Sequence, residues 1–408
     1  MRIRTPAAGA LALTLFVVPV RSELLIVDSS ATAHTFATIQ AAVDTAHDGD
    51  VVLVRSGAYG GFVVVDKDLS IVADVTGGAK VHGAVAVMGL AAGKTVVLGG
   101  LDVSLSAPVS ALRAHDNEGL LWIEDCQFLG GPGRACVTPE PAVSIELCQR
   151  VAFIRSSLFA ASAGKGQGSG GDALHVADSS AALHMCRIVG GTASFESCGA
   201  IFDGGDGGSA TRITGGSQVY SSGVTFHGAN GAAGVHGGAG GDGGHGLTAS
   251  SSSELATLGV EFSAGIAGLG CGRVDCADGS AGVALDGDPV HHPGFAPYVS
   301  GAPPVLQGTS STMVLYGDGG DRVLLRIADE ASFEFDADVR GVQLVRGGRI
   351  LSVGQLPQSG AAGAQLFVPY LAPPGGAQRY FVQAIHRSTS GVLSFGGVRA
   401  MVALGGAP

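Results

Sequence analysis

Leu98-Gly99-Gly100-Leu101-Asp102-Val103 is followed about 25 residues later by Ile123-Glu124-Asp125-Cys126-Gln127-Phe128, an apolar triad with the same internal spacing. Leu183, Cys186 and Ile188 repeat it, and Ile154, Ser157 and Phe159 read as a copy in between with serine in the middle slot. Weaker copies end at Val224 with Phe226 and at Val260 with Phe262. The last two positions of each copy are alternate residues, which face the same way along a strand. The first two are three apart, so the chain has to bend between them to bring both inward.

A second apolar pair lies upstream in several units: Val143 with Ile145, Leu174 with Val176, and Ile213 with a weaker partner. Each unit thus supplies several short strands separated by corners. One unit cannot bury its own inner face, so units must stack and hydrogen-bond to their neighbours as a solenoid. Unit length grows from about 25 to about 40 residues, and the added sequence falls at one place in the repeat. It is rich in glycine: Ala163 to Gly171, Gly204 to Gly208 and Gly228 to Gly246. Such tracts lack side chains for recognition and are expected to be flexible spacers.

Phe36-Ala37-Thr38-Ile39-Gln40-Ala41-Ala42-Val43 sets Ile39, Ala42, Val43 and Ala46 on one helical stripe, and Asp48-Gly49-Asp50 stops it before the strand Val51-Val52-Leu53-Val54. A short amphipathic helix there would cap the open first coil. This opening, continued by Gly57-Ala58-Tyr59, resembles that of the pectin-lyase-like right-handed parallel β-helix superfamily, and the later triads resemble its coils. The resemblance covers residues 32–285 and implies an all-β fold: a right-handed parallel β-helix of about seven coils with an N-terminal capping helix. Asp286 to Pro304 reads as a linker. Beyond it, alternating runs such as Met313 to Tyr316, Val323 to Ile327 and Tyr380 to Ile385 point to a C-terminal β-sandwich domain over residues 305–408, similar to modules of other exported bacterial β-helix proteins.

The chain has 408 residues, 68 of them glycine, and a formal charge of −11. Clustered Lys and Arg, which phosphate neutralisation requires, are missing, so a nucleic-acid partner is excluded. Arg2 and Arg4 precede the apolar run Ala7 to Val20, which reads as a signal peptide over residues 1–22 of a secreted or cell-surface protein. No later run is long enough to span a membrane after cleavage. Of seven cysteines, Cys271 and Cys276 are the best disulfide pair, because the residues between them can turn back tightly. Cys126, Cys148 and Cys186 lie in strand-like patterns and are expected as buried apolar fillers, while Cys136 and Cys198 lie in loops.

The resemblance to polysaccharide-acting β-helix proteins calls for a search for their chemistry. Lyases of the superfamily combine acidic calcium ligands with a basic proton abstractor, and Asp172, His175, Arg155 and Lys165 lie around one coil. If the protein is an enzyme, Asp172 and His175 are the expected catalytic residues. No acidic pair is seen recurring at one register, which a shared calcium would favour. Gly244-His245-Gly246 matches a short polygalacturonase element, but the accompanying Asn-Thr-Asp, Asp-Asp and Arg-Ile-Lys elements are missing. Gly237 to Asp242 fits the start of a calcium nonapeptide without a tandem second copy, and His227, His236 and His245 stand nine apart on glycine-rich sequence that does not hold ligands rigidly. No metal site or cofactor is therefore expected, with calcium left as an open alternative that the sequence does not support. The expected function is an exported or surface-associated β-helix scaffold, non-catalytic, with a polysaccharide or cell-surface component as partner. The alternative is a divergent polysaccharide lyase or glycoside hydrolase acting on acidic polysaccharide.

Overall fold

At each bend of the triad, a computed structural model shows one residue in the left-handed backbone region. Gly100, Asp125, Arg155, Met185, Gly223 and Gly259 have φ between 46° and 70°, and each is the second residue of the gap between the first two triad positions. Left-handed backbone is uncommon for a side chain other than glycine and persists where the surroundings fix it. The model describes residues 22–30, 34–133, 139–164, 168–195, 203–271, 276–301, 305–306, 309–335, 339–367 and 376–404. The expected signal peptide except Ser22, and Lys165, Cys136 and Cys198, lie outside them.

The chain is all-β with a large, nearly closed parallel sheet, compatible with a parallel β-helix. The sheet consists of three ladders. One stacks Leu98, Ile123, Phe153, Leu183, Ser221 and Thr257 in register. A second stacks Val103, Phe128, Leu158, Ile188, Phe226 and Phe262. The third carries the upstream pairs, with Leu112, Val143, Leu174, Thr211 and Leu247 in line. The middle copy of the triad is therefore Phe153, Ser156 and Leu158, not Ile154, Ser157 and Phe159. The sequence is apolar in both frames there, and Ile154 points outward into a second core. The inner residues form one continuous apolar core; fully burying a side chain such as Phe153 contributes about 2–3 kcal/mol. A helix, Ile39–Thr45, adds Ile39, Ala42 and Val43 to this core and is N-capped by the Thr38 hydroxyl, which accepts from Ala41 N at 3.2 Å.

The glycine-rich inserts overturn the spacer expectation. They are extended segments stacked on one another with a three-residue period, as in polyproline-II geometry. The first N–H of each three goes to the next coil: Gly204 to Ala239 O, Gly207 to Asp242 O and Ala210 to His245 O, at 2.8–2.9 Å. The second crosses to a neighbouring segment, as Gly205 to Ser194 O and Gly208 to Gly191 O, both 2.9 Å. Where the third residue carries an acceptor, its side chain takes the N–H of its counterpart one coil on. Asp203 accepts from Ala239, Asp206 from Asp242 and Ser209 from His245, at 2.8, 2.8 and 3.3 Å. Every backbone donor in such a three-residue unit is thereby paired. Glycine is required where segments touch: a Cβ on Gly208 would lie 1.8 Å from Gly171 O. One coil beyond Gly240, Gly243 and Gly246, the corresponding slots hold the exposed residues Asp278, Ala281 and Ala284. The expected Cys271–Cys276 disulfide is present, with Cα atoms 5.6 Å apart.

Parallel pairing continues into the stretch expected as linker, where Leu285–Asp286 and Val290–His292 join the stack. Small antiparallel sheets follow. Tyr298–Ser300, Ser310–Tyr316 and Ala361–Phe367 form one; Val305–Leu306, Leu393–Leu404, Ala377–Arg387, Arg322–Ala328 and Arg349–Gln355 form another, with one parallel pairing at its edge. Val299, Met313 and Leu315 of the first share a core with Val323, Leu325, Val382 and Met401 of the second. The second sheet also lies along the flank of the stack, where Val51, Val72, Val97, Trp122 and Ile154 meet Phe381, Val398, Ala400 and Val402. Trp122 is fully buried and packs on Phe381 at 4.8 Å between ring centroids.

Charge is sealed into this contact. Glu124 accepts from Arg155 at 2.7 Å, from Arg399 at 2.8 Å, from the Trp122 indole at 2.9 Å and from Ala400 N at 2.6 Å. Asp125 pairs with both arginines, at 2.9 and 3.2 Å. Arg155 also donates to Val299 O at 3.1 Å. Thus Arg155, read from sequence beside Asp172 and His175, serves the flank contact.

Two predictions follow from these contacts. Gly208→Ala is expected to cost about 1–3 kcal/mol, because the carbonyl in its way is backbone. Gly216→Ala, with nothing within 4 Å of the new methyl, is expected to stay within about 0.5 kcal/mol; equal unfolding midpoints for the two in urea would refute the close packing. Burial holds His184, packed on Tyr220, at a pKa of about 4, below the 6.5 or so of an unfolded chain. The unfolded state then binds more protons between those values, so stability is full above about pH 6.5 and falls as pH drops toward 4, by roughly 3 kcal/mol. Buried His386, also at about 4, adds a like share. His184→Gln is expected to remove its part of the slope in urea titrations from pH 7.5 to 4, and an unaltered slope would count against the assignment.

Candidate functional site

The third ladder turns one row of side chains outward. Leu112 and Ala114 face the core, so Arg113 and His115 between and after them face out, and the same alternation repeats on the following coils. Arg113, Ser144, His175 and Arg212 consequently form a column in register. His115 and Glu146 begin a second column beside it. Met88, Arg113, His115, Glu140, Glu146 and His175 line an open groove of about 420 Å³ over these columns.

The acidic groups of the groove are engaged. Glu140 pairs with Arg113 and accepts from Ser110 N at 3.1 Å. Burial pushes its pKa up, but the Arg113 and Ser110 bonds outweigh this and hold it below the usual carboxylate range. Glu146 accepts from the Ser144 hydroxyl at 2.7 Å. Asp172 pairs with Arg212 at 2.9 Å and accepts from Ser209 N at 2.8 Å. His175, half-buried, meets the Thr214 hydroxyl at 3.1 Å. Arg212, one coil on, is paired in register with His175 and bonded to Asp172.

Asp172 occupies the same kind of place as Asp203 and Asp206: an outward residue whose carboxylate caps the backbone one coil on. In the glycine-rich layers single acidic residues do stand one above the other, as Asp206 and Asp242 do. Each accepts from the next coil, Asp242 from Ser280 N at 2.6 Å. Histidines in the glycine layers do similar work: His245 accepts from Val283 N at 3.0 Å and His227 meets the Ser263 hydroxyl at 2.6 Å. Among the described residues, no group of three or more His, Cys, Asp or Glu is placed to hold a metal ion. Cys126, Cys148 and Cys186 are buried and free, and burial raises the thiols of Cys126 and Cys186 to about 12, which makes them poor nucleophiles.

Sequence reading passed over Arg113, Glu140, Glu146 and Arg212. Glu146 and Arg212 carried a usable sign, since each stands next to an inward apolar residue of a recognised pair; Arg113, beside the unrecognised Leu112, and Glu140, in a connection, carried none. No family model and no curated protein matches the chain.

The capping role of Asp172 is open to measurement. Asp172→Ala is expected to lower stability by about 1–2 kcal/mol through the unpaired Ser209 N–H, while His175→Ala changes it by less than about 0.5 kcal/mol. Equal, negligible effects of the two in chemical denaturation would remove the structural role assigned to Asp172.

Proposed function

We propose that the protein is an exported or surface-associated scaffold, a right-handed parallel β-helix of the pectin-lyase-like kind, that binds polysaccharide along its groove without cleaving it. On this reading the helix Ile39–Thr45 caps the first coil and the C-terminal sheets are a β-sandwich module. The Cys271–Cys276 disulfide is compatible with an exported protein. No described helix is long and apolar enough to cross a membrane.

The observation that carries the reading is the engagement of the groove carboxylates. General-acid chemistry at a glycosidic bond needs a carboxyl with a raised pKa opposite a second carboxylate. Of the carboxylates that line the groove, Glu140 is held low by Arg113 and Ser110 and Glu146 accepts from Ser144; Asp172, outside that lining, is committed to Arg212 and Ser209. The same bonds hold Arg113, Ser144, His175 and Arg212 in one column, stepped at the spacing of adjacent strands, about 4.8 Å, with the remaining guanidinium N–H groups of Arg113 and Arg212 left for a ligand. Such a column suits an extended sugar chain.

The test is to run the mature protein through native gels containing neutral or uronic-acid polysaccharides, with and without calcium. Reducing ends and unsaturated products are followed in parallel. Retardation by at least one polymer without product is expected, weakened several-fold by Arg113→Ala combined with His175→Ala. Clear turnover of any polymer would replace this reading with the lyase or hydrolase alternative.

A further inference from the structure

The C-terminal sheets contain an arrangement that the folded chain does not explain by itself. Gln355, Arg322 and Arg387 form a row across three neighbouring strands, with Arg322 directly opposite both Gln355 and Arg387. Like charges directly opposed on an antiparallel pair are destabilising. Among the described residues, neither guanidinium has a carboxylate within ion-pair distance, whereas Arg113, Arg155, Arg212, Arg379 and Arg399 each have one. Asp321, next in sequence to Arg322, is buried beside His386, 3.8 Å away, and is turned to the other side of the sheet. The two arginines are exposed and border an open groove of about 540 Å³ together with Ser352, Gln355, Ser388 and Thr389.

We infer that this row is a subsite for a carboxylate or sulfate group carried on an acidic polysaccharide, which rests on the polysaccharide-binding reading above. An anion between the two guanidinium groups turns their repulsion into two charge-assisted contacts, and a planar guanidinium matches the two oxygens of a carboxylate or sulfate. The Thr389 hydroxyl and the Gln355 amide oxygen supply neutral hydrogen bonds of the kind a sugar ring uses, while the Gln355 amide nitrogen is bonded to Gly320 O and the Ser388 hydroxyl to Ser390 and Val392 N. Since the chain as a whole carries −11, a local pair of unmatched positive charges is where an acidic polymer gains the most.

Polygalacturonate, dextran sulfate, neutral dextran and free inorganic sulfate distinguish the sources of the anion. Affinity is measured for the wild type, Arg322→Gln, Arg387→Gln and the double variant. The expected result is binding of at least one acidic polymer, with Kd raised tenfold or more in the double variant, no matching loss for any neutral polymer that binds, and a steep weakening with salt. The melting temperature of either single variant is expected to hold or rise, because a like-charge contact is removed; a marked fall would mean that the arginines serve the fold. Acidic-polymer binding unchanged in the double variant would overturn this inference alone. Absence of binding to every polymer, neutral or acidic, would overturn the proposed function. Binding of inorganic sulfate without any polymer would reduce the row to a simple anion site and overturn the glycan assignment.

Discussion

Everything in this molecule depends on backbone hydrogen bonds between one coil and the next. A strand such as Ser180–His184 is too short to stand alone, and its neighbours on either side, Val143–Ile154 and Gln218–Ser222, satisfy its donors and acceptors. The same constraint fixes the spacing at which Leu98, Ile123, Phe153 and Leu183 meet, so the core is made by stacking rather than by any one unit. It also governs the glycine layers, where almost no apolar surface is available and hydrogen bonding with close approach carries the packing.

The flank contact uses different physics. Trp122 and Phe381 supply apolar area, while Glu124 and Arg399 are buried and held with Arg155 and Asp125, which keep a partly exposed edge. Two carboxylates against two guanidinium groups leave no net charge to solvate. A buried pair of this kind contributes little over an apolar substitute, but losing one member leaves an uncompensated charge. The cluster thus fixes where the second sheet sits on the stack more than it strengthens the contact.

Much of the stack was legible in sequence, because inward apolar residues repeat with a fixed gap and the gap contains the corner. Reading went wrong at Ile154 for a physical reason: its outward face is covered by the C-terminal sheets, so the usual contrast between inner and outer residues disappears. The glycine layers were hidden because their order lies in main-chain bonds and in the missing Cβ atoms, which composition alone cannot separate from a loose tether. The period of three was nonetheless written there, with Asp203 and Asp206 on successive turns, each followed by a glycine pair, Gly204-Gly205 and Gly207-Gly208. For the groove, Asp172 and His175 drew attention by residue type, yet the structure gives Asp172 a backbone to cap and Arg212 of the next coil as its ion-pair partner. Arg322 and Arg387 are 65 residues apart by their numbers, and only strand pairing makes them neighbours.

The last glycine segment has a consequence for assembly. Inner segments offer a bare backbone on which another can settle, but Ala281 and Ala284 raise methyl groups from that surface, and Asp278 turns its carboxylate back to Gly270 N at 2.7 Å. A methyl at Gly240 or Gly243, one coil below, would stand 2.0 or 2.2 Å from the carbonyl of the segment above. An incoming copy of the chain would meet that obstruction at Ala281 and Ala284. The last segment of the stack therefore lacks the bare backbone that the inner segments offer one another.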